Sequence, residues 1–336
     1  MPRRTAMGDS PPPRKTSPAT LLWQRLVVSV MVSTADRIQR LSPAAALRLG
    51  ARLGDLAYRV AGKQRRRAEA GLRLAFGGKL DAAGRDALIR GVFHHFGRAA
   101  VAFLRAPTFG RDGLSALVMV EGEEHLEAAL QNGKGVIVAT GHIGNWEILG
   151  RWLAQVKKRK VTVVAREQKG EAISEYLHRM REDAGFVVLS KGESARPLLR
   201  VLQRGEVIIL LPDQNSGDVF VPFFGVPTGT VAGPASLALH TRAPLLPIFC
   251  FEEPNGSFRV VCHPPISAES TGNREADVAR IMTDFNYVLE TAIRAHPTQW
   301  LWLHNRWKSV FEEKNRERAW PCRDAERDAA LKRWNL

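Results

Sequence analysis

Gly135-Val-Ile-Val-Ala-Thr-Gly-His-Ile-Gly-Asn-Trp-Glu-Ile-Leu-Gly150 reads as a buried strand, a tight loop and the start of a helix. The apolar run at 136–139 is short and bounded by glycine, and the stretch from Trp146 to Leu153 has the apolar spacing of a helix. His142 therefore falls at a strand's carboxyl end, where open α/β sheets place their ligand crevice. The glycines on both sides let the backbone turn sharply and come close to a substrate. Glu147 lies in the first helical turn, where a carboxylate suits the positive end of the helix dipole. From there it can fold back and hold the imidazole in one tautomer, so the pair reads as a general base and its orienter.

Outward from this stretch, short apolar runs begin near Val118 and recur at 136–139, 161–164, 187–189, 207–211, 246–250 and 258–262. Helical patterns separate them at about 146–155, 172–184, 195–204, 234–241 and 276–295. The alternation predicts an α/β fold with a mostly parallel central sheet flanked by helices. Asn255-Gly256 is a hairpin signal, so the last two strands should be antiparallel at one edge. Upstream, helical patterns over 21–75 and 82–104 make an N-terminal helical region, the second with Leu88, Val92, Phe96, Ala100 and Phe103 on one face. The expected organisation is a disordered tail at 1–18, a helical, membrane-associating region at 19–110, an α/β domain at 111–310 and a charged tail at 311–336.

Three cysteines, Cys250, Cys262 and Cys322, are too few and too scattered for a disulfide framework or a zinc site, which favours a reducing compartment. The formal charge of +15 calls for an anionic partner: nucleic acid, a membrane surface or an acidic substrate. Residues 1–70 carry fourteen Lys/Arg against four Asp/Glu. Nucleic acid is the weaker reading, because these cations sit beside an amphipathic apolar stretch and no aromatic-rich recognition motif appears. In that stretch, 21–35, Gln24 and Arg25 leave an uncharged part too short for a hydrocarbon core of about 30 Å. It reads either as a helix lying in the membrane interface, anchored by Trp23, or as an amphipathic helix packed on the body. No secretory signal is expected at the polar, proline-rich start.

Other segments bring polar groups to the sheet edge of His142. Arg166 follows the run at 161–164 and reads as an anion clamp or as a surface partner of Glu167. Asp213 and Gln214 follow 207–211; they either bind acceptor hydroxyls, buttress the His loop, or cap an ordinary turn. Val219-Phe-Val-Pro-Phe-Phe-Gly225 reads as the lining of an acyl slot, with Phe220, Phe223 and Phe224 setting its depth, or as plain core. His94-His95 reads as helix-face residues, and no metal site is expected. No Gly-x-Ser-x-Gly elbow is present. A His-Glu pair without its own nucleophile suits direct transfer, with the imidazole taking a substrate hydroxyl's proton. The backbone N–H groups of Gly144 and Asn145 are the oxyanion candidates.

These residues resemble a known family. His142-x4-Glu147 is similar to the H-x4-D/E signature of the lysophospholipid acyltransferase superfamily, in the form typical of lipid A biosynthesis lauroyl/myristoyl acyltransferases. In the same order follow Arg166, Leu211-Pro-Asp-Gln214, Val221-Pro-Phe-Phe-Gly225, Thr241-Arg-Ala-Pro-Leu-Leu-Pro247 and Pro297-Thr-Gln-Trp-Leu-Trp-Leu-His-Asn-Arg-Trp-Lys308. The resemblance implies transfer of a fatty acyl chain from acyl carrier protein or coenzyme A to a hydroxyl of a membrane lipid. The expected place is the cytoplasmic face of the bacterial inner membrane, with a monotopic or peripheral attachment. It also implies that His142 is the base and Glu147 its partner, that Arg166, Asp213 and Gln214 shape the acceptor site, and that no cofactor takes part. The expected acceptor is a lipid A precursor, with a lysophospholipid or another glycolipid as alternatives. The competing readings are a non-catalytic protein that docks on anionic membrane and a hydrolase that uses water as acceptor.

Overall fold

The computed structural model describes residues 18–165, 171–190 and 195–319, and for 18–28 and 171–173 the backbone alone. The expected tail at 1–18, apart from Pro18, and most of the charged tail at 311–336 lie outside the described residues, as does Arg166.

Four helices lead: α1 (Pro18–Gln39), α2 (Pro43–Val60), α3 (Gly62–Phe76) and α4 (Ala82–Arg105). Ser42 and Asp81 cap α2 and α4 by accepting from Ala45 N and Gly84 N. Glycine lets α2 lie close on α4: a Cβ at Gly54 would sit 2.4 Å from Phe93 O. The buried face of α4 is Ile89, Val92, Phe93, His95 and Val101, whereas Ala100 is exposed and Leu88, Phe96 and Phe103 are only half-buried. The expected stripe is thus rotated, because α2 packs along one flank of α4 and the His loop along another.

There follow α5 (Gly110–Leu117), β1 (Val118–Glu121), α6 (Glu123–Gln131), β2 (Val136–Ala139), α7 (Trp146–Arg151), β3 (Val161–Ala165), α8 (Glu171–Glu182), β4 (Phe186–Ser190), α9 (Arg196–Gln203) and β5 (Val207–Leu210). The remaining elements are β6 (Val219–Phe223), β7 (Val226–Thr230), α10 (Gly233–Thr241), β8 (Leu245–Glu252), β9 (Phe258–Cys262), α11 (Arg274–Ala295) and α12 (Arg316–Ala319). Seven strands form one sheet in the order β1-β9-β8-β2-β5-β3-β4. It is the expected architecture. Every pair is parallel except β8–β9, the hairpin turning through Asn255-Gly256. That hairpin is not the sheet's edge, because β1 pairs on the far side of β9.

One apolar core on each face follows from strands such as β2 and β8, buried along their whole length. The separate hairpin β6–β7 was not foreseen as strands. It packs on α11 and on the tryptophans of the 300–307 segment. Among the described residues, no helix is long and apolar enough to cross a membrane.

Candidate active site

Ala139 of β2 pairs with Leu210 of β5, and three residues beyond each stand His142 and Asp213. Two adjacent parallel strands therefore bring these residues to one crevice. His142 Nδ1 lies 2.7 Å from Asp213 Oδ1, and the His142 backbone N–H donates to Asp213 Oδ2 at 2.7 Å. Trp300 Nε1 also donates to Oδ2, at 3.0 Å. Asp213 is fully enclosed; burial opposes its ionisation, but the charge and hydrogen bonds of His142 and the Trp300 indole outweigh burial and hold its pKa below the usual range. A carboxylate only accepts, so Nδ1 carries a proton, and the neutral form of the imidazole therefore has its lone pair on Nε2. The Gln214 amide nitrogen lies 3.2 Å from Nε2. Space is tight at Gly141, where a Cβ would meet Asp213 Oδ2 at 3.1 Å.

Glu147 does not orient the imidazole. Helix α7 carries it to another wall, where Arg181 of α8 binds it, Nη2 to Oε1 at 2.5 Å. Asn145 caps that helix by accepting from Ile148 N, which directs the first turn, and with it Glu147, away from Nδ1. The carboxylate that contacts the imidazole is thus Asp213 and not the expected Glu147, and Asp213 also bonds the backbone of the His loop.

The proposed oxyanion donors are also corrected. Gly144 N–H donates to Gln299 O at 2.8 Å and Asn145 N–H to Cys250 O at 2.7 Å, so neither is free to meet a developing negative charge. These bonds serve rigidity instead. Leu301 N–H donates to His142 O at 3.0 Å, and His95 Nε2 to Gly144 O at 3.0 Å. Gly144 has φ +59°, and a Cβ there would lie 1.9 Å from Cys250 O.

Sequence reasoning missed this frame. His95 is buried at a position read only as a helix face, and its Nδ1 lies 3.2 Å from the buried Glu252. Gln299 exchanges two hydrogen bonds with the Glu252 backbone, at 2.8 and 3.0 Å. Arg306, fully buried, donates to Gly229 O, to Thr230 Oγ1 at 2.7 Å and to Gln214 O at 3.4 Å. Burial pushes its guanidinium down to about 10, against the opposing pull of Asp213, which leaves it charged at neutral pH. For Gln299 and Arg306 the only signal available was the tryptophan-rich run at 297–308.

A cavity of about 350 Å³ opens beside the imidazole. Trp146, Gly150, Val163, Phe186, Ile209 and Leu211 supply most of its apolar wall, and Glu147, Arg181 and Gln214 its polar one. Trp146 stands edge-on to His142 at 5.0 Å. Phe223 and Phe224 are not part of it: they are buried against Trp300, Trp302 and Trp307, so of the two readings of 219–225 the core reading describes them. Cys250 and Cys262 are buried and their thiols pushed up, Cys262 to about 12, which makes neither a nucleophile. Among the described residues no cluster of His, Cys, Asp and Glu fit to hold a metal ion is found.

Comparison with known proteins gives the family. Residues 14–309 match the family described as "Bacterial lipid A biosynthesis acyltransferase". The chain belongs to that family. It is 33% identical over 240 residues to the phosphatidylinositol mannoside acyltransferase of Mycobacterium tuberculosis, covering 69% of this chain and 73% of the relative. Against the lipid A biosynthesis palmitoleoyltransferase of Escherichia coli it is 26% identical over 266 residues, 78% of this chain and 84% of the relative. The lauroyltransferase of the same organism is 24% identical over 270 residues, 78% and 85%. The protein is therefore an acyltransferase of the lipid A acyltransferase family.

Proposed function

We propose that this acyltransferase moves a fatty acyl chain from a thioester to a hydroxyl of a glycosylated membrane lipid, with His142 as general base and Asp213 as its orienting partner. The observation that carries the reading is the 2.7 Å contact between His142 Nδ1 and the buried Asp213, at the mouth of a cavity with apolar walls. The acceptor hydroxyl takes Gln214's place at Nε2 and gives up its proton there, while its oxygen attacks the thioester carbon. The C–S bond then breaks, and the imidazolium returns the proton to the departing thiolate, giving an ester and a thiol. The displaced Gln214 amide is placed to donate to the oxygen that gains charge at the carbonyl. Glu147 and Arg181 act on the same wall as a neutral ion pair that shapes the cavity. Arg166, on the sequence argument alone, helps shape the acceptor site. The transfer balances without a cofactor.

The donor is acyl carrier protein or coenzyme A, and the enzyme works at the inner face of the bacterial inner membrane. A lipid A precursor was the acceptor expected from sequence. The higher identity to phosphatidylinositol mannoside acyltransferases, 33% against 24–26%, favours a glycosylated phosphoinositide instead. Membranes containing the wild type or His142→Ala, given labelled acyl thioester and a lipid extract, test the reading by mass spectrometry. We expect one new acyl ester, made by the wild type alone and without excess free fatty acid. Equal labelling by both proteins, or free fatty acid as the only product, contradicts it.

A further inference from the structure

A second cavity, of about 620 Å³, is lined by α3 and by the 304–308 segment. Lys63, Arg66 and Arg67 from α3 face His304, Arg306 and Lys308 across it. Helix α3 is built against ordinary helix electrostatics: its first turns hold Lys63, Arg65, Arg66 and Arg67, where the dipole favours acids, and Ala61 provides no side-chain cap. Its single acid, Glu69, is engaged by Arg73 and Arg85. Among the described residues no carboxylate pairs with Lys63, Arg66 or Arg67, and no acid lines the cavity. The buried Arg306 Nε and Trp307 Nε1, both on lining residues, also have no hydrogen-bond partner. Cations without acids at a helix start, facing two buried donors without partners, fit an anion.

The cavity communicates with the catalytic pair. His304 accepts from Asn215 N–H at 3.1 Å, next to Gln214, and it feels the charges of Asp213 and His142 on one side and of Arg67 on the other. The neighbouring surface says which anion. Immediately before α3, one stripe of α2 leaves Leu53, Leu56 and Val60 exposed at 43, 56 and 73%, and Val30 and Val32 of α1 are exposed too. An apolar stripe running into a basic turn is the pattern of a segment seated at a lipid head-group layer.

We propose that this cavity is a phosphate subsite for the acceptor lipid: Lys63, Arg66 and Arg67 hold its head-group phosphodiester while the acyl-accepting hydroxyl reaches His142. The assignment rests on the acyltransferase reading for the identity of the ligand, but its test does not require turnover. Isothermal titration calorimetry with the full chain would compare dihexanoyl-phosphatidylinositol, dihexanoylglycerol and coenzyme A. In the doubly substituted Arg66→Gln/Arg67→Gln protein we expect phosphatidylinositol affinity to fall by about tenfold or more, the loss typical of charged hydrogen bonds. Coenzyme A affinity stays unchanged, dihexanoylglycerol binds no better than to the wild type, and Arg66→Lys/Arg67→Lys recovers most of the lipid affinity. The subsite is overturned if lipid affinity is unchanged, if the lysine protein loses as much as the glutamine one, or if the loss falls on coenzyme A, which would give the phosphate to the donor. Lipid binding that depends on these arginines in a protein without His142-dependent transfer would keep the subsite and remove the proposed transfer mechanism at His142.

Discussion

The loop around His142 and the first turns of α3 are built in opposite ways. In the loop, the N–H groups of His142, Gly144 and Asn145 and the carbonyls of His142 and Gly144 all have partners, and the only carboxylate at the imidazole is buried and bonded three times. In α3, three cations stand without an acid among the described residues, on a helix end whose dipole repels them. One region spends its hydrogen-bonding capacity on its own geometry; the other keeps it for something else. The difference teaches where each kind of substitution should be felt, in rate and stability for the first and in ligand affinity for the second.

The largest effect falls on the loop. Removal of the base in His142→Ala should lower turnover by a factor on the order of 10³, within the range for general-base catalysis, and, because the buried Asp213 carboxylate loses its Nδ1–H donor, should also cost about 1.5–3 kcal/mol of stability. Gly144→Ala should cost stability as well, roughly 3 kcal/mol in chemical denaturation, because a methyl there meets Cys250 O at 1.9 Å and the backbone needs φ +59°. Trp300→Phe removes one donor from the Asp213 carboxylate and should cost about 1.5–3 kcal/mol, the range for a hydrogen bond to a charged group.

In α3 the sign should reverse. Arg66→Gln/Arg67→Gln takes two cations from a helix start and should leave unfolding free energy unchanged or raise it by a few tenths of a kcal/mol. A destabilisation as large as that of Trp300→Phe would erase the distinction between the two regions.

The pH dependence sharpens the same contrast. The native Asp213 carboxyl titrates below its ordinary value of 3.8, so its contribution to stability is present above the unfolded value and is lost as pH falls through the native one. Asp213→Asn should therefore be less stable than the wild type at neutral pH, and the gap measured by urea unfolding should close below about pH 4.

The sheet and the importance of the stretch 135–150 could be read from the sequence because both are local: strand runs, glycines and one helical period. The partner of His142 could not, since β5 reaches its place beside β2 only after β3 and β4 have been laid down on its other side. Glu147 was attractive because it is near in sequence, yet an Asn145-capped helix turns it toward Arg181. Backbone donors looked available at Gly144 and Asn145 because nothing local reveals Gln299 O or Cys250 O, which approach from distant segments. Phe223 and Phe224 carry no mark in the sequence to tell a substrate wall from a core, and the tryptophans that cover them lie about 80 residues on.

The central claim is that Asp213, not Glu147, sets the protonation of His142. It is tested most directly by measuring acyl transfer with Asp213→Asn and Glu147→Gln side by side, at saturating donor. The account predicts a loss in kcat on the order of 10²-fold or more for Asp213→Asn, since an amide can no longer enforce the Nδ1–H tautomer. For Glu147→Gln it predicts a smaller loss, expressed mainly in KM. The reverse order, with kcat collapsing in Glu147→Gln and surviving in Asp213→Asn, would contradict it.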